Sequence, residues 1–83
     1  MTAKAYVLVR TVASTTDTIA EKLESIDGVQ SPVELVTGPY DLIAIIETPT
    51  VDEVLSIVLD RIRPIEGVKD TLTCIAVQRK RVE

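Results

Sequence analysis

Three places in the chain carry residue types able to do chemistry. Asp41 follows Gly38-Pro39-Tyr40 and immediately precedes the apolar run Leu42-Ile43-Ala44-Ile45-Ile46. A carboxylate at such a turn has a ready structural role, accepting hydrogen bonds from backbone N–H groups. Thr71 and Thr73 alternate with Leu72 and Cys74 in a segment with strand character, so their two hydroxyls share one face. Cys74 is the one cysteine. With no histidine, lysine or arginine close in sequence to stabilise a thiolate, it is expected to be a buried core residue rather than a nucleophile.

Much chemistry is excluded by what the sequence lacks. It contains no histidine, which removes the commonest general base, the commonest metal ligand and every Ser-His or Cys-His pairing. No CxxC, no GK[ST] phosphate loop and no GxGxxG occurs, so neither a metal nor a nucleotide cofactor has support. Glu21, Glu24, Asp52, Glu53 and Asp60 fall on helical positions away from the apolar stripes and are expected to be solvated. The same holds for Arg79-Lys80-Arg81 in a polar tail expected to fray.

The elements that must position these residues follow from hydrophobic period. Ala5 to Val12 reads as a strand with Ala5, Val7 and Val9 on one face and Tyr6 and Leu8 on the other. Ile19, Leu23 and Ile26 mark a helix over Ser14 to Ser25, with Ser14, Thr15 or Thr16 as its N-cap, closed by Asp27-Gly28. Ser31 to Thr37 is the second strand, Pro32 standing at its start, and Gly38-Pro39 turns it into the Leu42–Ile46 strand. That third strand is apolar at every position, as expected for a central one. Thr50-Val51-Asp52-Glu53 is a capping box, and Val51, Val54, Leu55, Val58, Leu59 and Ile62 trace one stripe as far as Pro64. Thr71 to Gln78 forms the last strand.

The order is βαββαβ, and Ile26-Asp27-Gly28-Val29 is echoed by Ile65-Glu66-Gly67-Val68 at the second helix exit. Right-handed crossovers in both halves bring the first and third strands to the centre. The expected fold is α+β and ferredoxin-like, with two helices on one face of a four-stranded antiparallel sheet. Residues 1–83 make a single domain. The other sheet face would then expose Tyr6 and Leu8, or else Val7 and Val9, beside residues of the Leu42–Ile46 run. Monomers seldom expose contiguous apolar patches beyond about 300–600 Å², so a homo-oligomer is expected.

Composition bounds the partners. The chain is 46% hydrophobic with two aromatic rings, Tyr6 and Tyr40, and its net charge is −4. An acidic surface offers phosphate backbones little, and two tyrosines make a poor stacking platform for RNA. Direct nucleic-acid binding is therefore not expected. No run approaches the roughly 20 apolar residues of a membrane span, no signal peptide precedes the first strand, and a lone cysteine suits a reducing compartment. A cytoplasmic location follows.

Val36-Thr37-Gly38-Pro39-Tyr40-Asp41-Leu42 resembles the Val-Thr-Gly-x-aromatic-Asp hairpin of the effector-binding (RAM) domains of Lrp/AsnC transcription regulators, and Val68-Lys69-Asp70-Thr71-Leu72-Thr73 resembles their Gly-Val-x-x-Thr-x-Thr ending. The likeness extends from the Ala5 strand to the Val77 strand. It implies a dimeric α+β barrel type of assembly: an amino-acid-binding module that pairs through its sheets and builds rings of dimers, acting on transcription regulators of the same family. The helix-turn-helix half of those regulators is expected to be missing. The resemblance also implies a site of Gly38, Tyr40 and Asp41 from one hairpin and Thr71 and Thr73 from a neighbouring dimer. In that site backbone N–H groups and threonine hydroxyls would hold the ligand carboxylate, and Asp41 its ammonium. Pro39 departs from the polar residue usual there, removing one N–H donor and stiffening the loop. Two other classes share the βαββαβ order. A small dimeric α+β barrel enzyme, a monooxygenase or isomerase, is disfavoured by the missing histidine and scarce aromatics. An ACT-like amino-acid sensor would need a glycine in the first loop, where Val12-Ala13-Ser14 has none.

Overall fold

The computed structural model describes residues 2–78, so the Arg79-Lys80-Arg81 tail lies outside the described residues. The elements run β1 (Ala3–Thr11), α1 (Thr16–Glu24), β2 (Glu34–Leu35), β3 (Leu42–Thr48), α2 (Val51–Ile57) and β4 (Val68–Ile75). The sheet is antiparallel in the order β2-β3-β1-β4, which puts the first and third strands at the centre as expected. Both helices pack on one face of it. This is the ferredoxin-like arrangement anticipated from the pattern.

Alternation decides the core. Ala5, Val7 and Val9 of β1 and Leu42, Ala44 and Ile46 of β3 are fully buried under Ile19 and Leu23 of α1 and Val54, Val58 and Ile62 of the second helical segment. The register sets Val7 opposite Ala44 and Val9 opposite Leu42, so the two central strands present one continuous floor to the helices. Burying side chains of this size contributes about 1.5–3 kcal/mol each before conformational entropy is counted.

The structure corrects four expectations. The second strand shrinks from seven residues to Glu34–Leu35. Pro32 has no N–H to give, and the Val33 N–H is taken by the Glu24 carboxylate at 2.8 Å instead of by β3. The preceding part joins the ladder only through an isolated bridge between Val29 and Ile46, supported by the Gln30 side chain donating to the Glu47 carboxylate. Secondly, α1 begins at Thr16 without a side-chain cap. The Thr15 hydroxyl is committed to the Val12 carbonyl at 2.6 Å, and Ser14 sits at φ 77°.

Thirdly, the apolar stripe of the second helix splits. Val54, Val58 and Ile62 face the core, whereas Val51, Leu55 and Leu59 lie exposed on its flank, Leu59 by 55%. The cap itself is as expected, the Thr50 hydroxyl accepting from the Glu53 N–H at 3.2 Å. Beyond Ile57 the helix widens into a π-helical turn over Val58–Ile62, closed by the Arg63 N–H on the Val58 carbonyl at 2.9 Å. Four residues overshoot an α-helical turn by about 40°, so apolar side chains at every fourth position drift around the axis. The wider turn undoes that drift and returns Ile62 to the core face.

Fourthly, Cys74 is not in the core. It is exposed, because its partner across the ladder is Tyr6 and the Tyr6 side of the sheet is open. Leu72 and Cys74 of β4 thus point outward, while Thr71, Thr73 and Ile75 lie half-buried on the helix-covered face. Tyr6, Leu8, Ile43, Ile45, Leu72 and Cys74 form this open face, and among the described residues nothing covers it.

The echoed helix exits are equivalent in detail. Gly28 (φ 96°) accepts from the Glu47 N–H, and Gly67 (φ 99°) accepts from the Val12 N–H, each at 2.8 Å. A Cβ on Gly67 would come within 2.7 Å of the Thr15 Oγ1. Only glycine fits both the left-handed backbone and the close approach of α1.

Candidate functional site

Asp41 enters β3 from the hairpin with its main chain fully engaged. Its N–H donates to the Val9 carbonyl and its carbonyl accepts from the Val36 N–H, both at 2.9 Å. The carboxylate reaches across to the end of β1, where Oδ2 accepts from the Thr11 N–H at 2.8 Å and from the Thr11 hydroxyl at 3.3 Å. Thr11 is itself buried, and its hydroxyl pairs with that of Thr16, the first residue of α1, at 2.7 Å. The bonds to backbone N–H are thus made as anticipated, though to β1 rather than within the turn. Among the described residues Oδ1 has no hydrogen-bond partner.

Asp41 lines a cleft of about 490 Å³ together with Arg10, Thr11, Ala13, Thr16, Gly38, Pro39 and Lys69, within the size range of small-molecule sites. Gly38 adopts φ 148° and its missing Cβ leaves open space, with no heavy atom within 4 Å of where it would stand. The backbone there is open to a close-approaching group. Tyr40 does not line the cleft; its ring lies beneath the Arg10 guanidinium, 5.6 Å from centroid to Cζ.

Arg10 and Lys69 were not among the residues singled out from sequence. The ladder between β1 and β4 slips at Arg10/Thr11, pairing Arg10 with Asp70 and Thr11 with Val68, so Lys69 is the extra residue of a β-bulge. A bulge re-aims the side chain it carries, and here that side chain borders the Asp41 cleft. The only sequence signal was the polar pair Lys69-Asp70 at the start of a strand, and register alone gives it meaning.

Thr71 and Thr73 lie half-buried on the helix-covered face of β4, opposite Val9 and Val7. β1 stands between them and Asp41, which bonds Val9 from its other side. Two interstrand spacings amount to about 10 Å, and neither threonine lines the cleft. One chain therefore gathers Gly38 and Asp41 but holds the threonines apart from them. Among the described residues no group of three or more Cys, Asp or Glu side chains could hold a metal, and no helix is long and apolar enough to cross a membrane.

The sequence matches the family described as the Lrp/AsnC ligand binding domain over residues 4–82. No match is found among curated proteins. Among solved structures, the Thermus thermophilus protein TTHA0845 is similar at a TM-score of 0.86 and 31% identity, the match covering 96% of this chain and 99% of that one. FFRP-DM1 is similar at a TM-score of 0.84 and 31% identity, covering 90% of this chain and 99% of its own. The transcriptional regulator NMB0573 of Neisseria meningitidis, solved as a complex with L-Met, shares the fold at 17% identity and a TM-score of 0.82, covering 96% of this chain and 53% of that one.

Proposed function

Because the chain belongs to the Lrp/AsnC ligand binding domain family, we propose that it is a regulatory module that binds a free amino acid at the Asp41 cleft and works as a homo-oligomer, modulating transcription regulators of the Lrp/AsnC type. One observation carries this reading: Asp41, which lines the cleft, is locked to β1 through Oδ2, and its Oδ1 has no partner among the described residues. A carboxylate held this way suits an ammonium group, since the lock fixes its position before ligand arrives and little ordering remains to be done on binding. Gly38 beside it supplies unobstructed backbone for the ligand carboxylate. The L-Met bound by the Neisseria regulator gives an instance of the same ligand class on this fold.

Self-association is supported by the open sheet face, where Tyr6 is 39% and Leu72 47% exposed at the centre of an apolar surface. A second chain would also solve the separation inside one chain, offering its Thr71 and Thr73 to the hairpin of another. Mixed assembly with full-length regulators would follow from the same surfaces.

The test is a thermal-shift screen of the common amino acids at millimolar concentration, with light scattering on the same samples. A ligand at about 100 times its Kd adds about 2.7 kcal/mol, roughly ten degrees or more for a domain of this size. Such a shift from one or a few amino acids supports the reading. No shift from any of them overturns it.

A further inference from the structure

The cleft holds more positive charge than an ordinary amino acid can answer. Its ionisable lining is Asp41, Arg10 and Lys69. A ligand with one ammonium and one carboxylate would pair with Asp41 and with one cation, leaving the second unmatched. Asp70, which stands opposite Arg10 in the ladder, does not supply the missing charge. It lies on the β4 flank of β1 and takes the Thr71 N–H on its Oδ1, whereas the Arg10 guanidinium leans over Tyr40 on the opposite flank.

Both cations are placed by the fold rather than by chance rotamers. The bulge turns Lys69 toward the cleft, and the Tyr40 ring supports Arg10 from below. Pro39 contributes no N–H donor at the hairpin, so charge must do more of the work of holding carboxylates here. We propose that this cleft selects acidic amino acids, with Arg10 and the Gly38 N–H facing the α-carboxylate, Asp41 the ammonium, and Lys69 the side-chain carboxylate.

The proposal rests on the reading of the cleft as an amino-acid site, and the experiment separates the two. Calorimetric titration of the whole chain at low salt compares glutamate with glutamine and aspartate with asparagine, pairs matched in size and differing in charge. The acidic member of at least one pair should bind about tenfold tighter, equivalent to about 1.4 kcal/mol, and its advantage should shrink as salt rises. In Lys69→Gln the advantage of the acidic member should fall toward unity.

Equal affinity within each pair in the unaltered protein overturns the selectivity and leaves the amino-acid reading standing. A preference that survives Lys69→Gln overturns the role given to Lys69. Binding of no amino acid at all overturns both readings.

Discussion

One carboxylate serves two purposes at Asp41. Oδ2 satisfies the N–H of buried Thr11, and in the proposed site Oδ1 would take the ligand, so a substitution that removes the group entirely mixes the two effects. Asp41→Ala should weaken folding by about 1–3 kcal/mol, the cost of a buried donor left unpaired, and abolish amino-acid binding. Asp41→Asn keeps an acceptor for Thr11 and removes the charge. It should hold stability within about 1 kcal/mol in urea denaturation yet still lose binding in calorimetry; intact binding would show that the charge is not what the ligand reads. The two helix-exit and hairpin glycines make a second contrast. Gly67→Ala meets both a left-handed backbone and the Thr15 hydroxyl and should cost about 2 kcal/mol or more, whereas Gly38→Ala enters open space and should cost about 1 kcal/mol from backbone strain alone. Similar losses in the two variants would remove the packing argument for Gly67.

At the level of elements, some features could be read from the sequence because they depend on local chemistry. The Thr50 cap, the two glycine exits and the Leu42–Ile46 centre strand are fixed by neighbours in sequence, and all three stand in the structure. What escaped depends on register. Cys74, alternating with the threonines, looks like a core residue of β4. Pairing with Tyr6 and Leu8 on one face and with Val7 and Val9 on the other reverses that reading. The Asp41 hairpin was legible for the same reason as the cap, while Arg10 and Lys69 were not, since a bulge exists only between paired strands. The second helix shows how far a stripe of similar residues can mislead. Ile62→Ala should cost about 2–5 kcal/mol because Ile62 is fully buried, while Leu59→Ala, three residues earlier on the same apparent stripe, should stay within about 0.5 kcal/mol. Chemical denaturation of the pair distinguishes this from a helix buried on both flanks.

For the whole molecule, the face away from the helices matters most. Leu72→Glu places a charge amid Tyr6, Leu8 and Cys74 without touching a fully buried side chain. Light scattering should show the assembly falling toward monomers while the circular dichroism spectrum is unchanged; an unaltered mass would move the interface elsewhere. The pairing of the first strand with the last has a different kind of consequence. Ala5 meets Ile75 and Val9 meets Thr71, contacts that close loops of about 60 to 70 residues, and distant pairings of this sort slow folding. During synthesis β1 leaves the ribosome first, yet one of its two edges has no neighbour until β4 emerges. Between the making of β1 and that of β4 the chain therefore carries an apolar strand with an unsatisfied edge, and its window of vulnerability to misassociation closes only when β4 pairs.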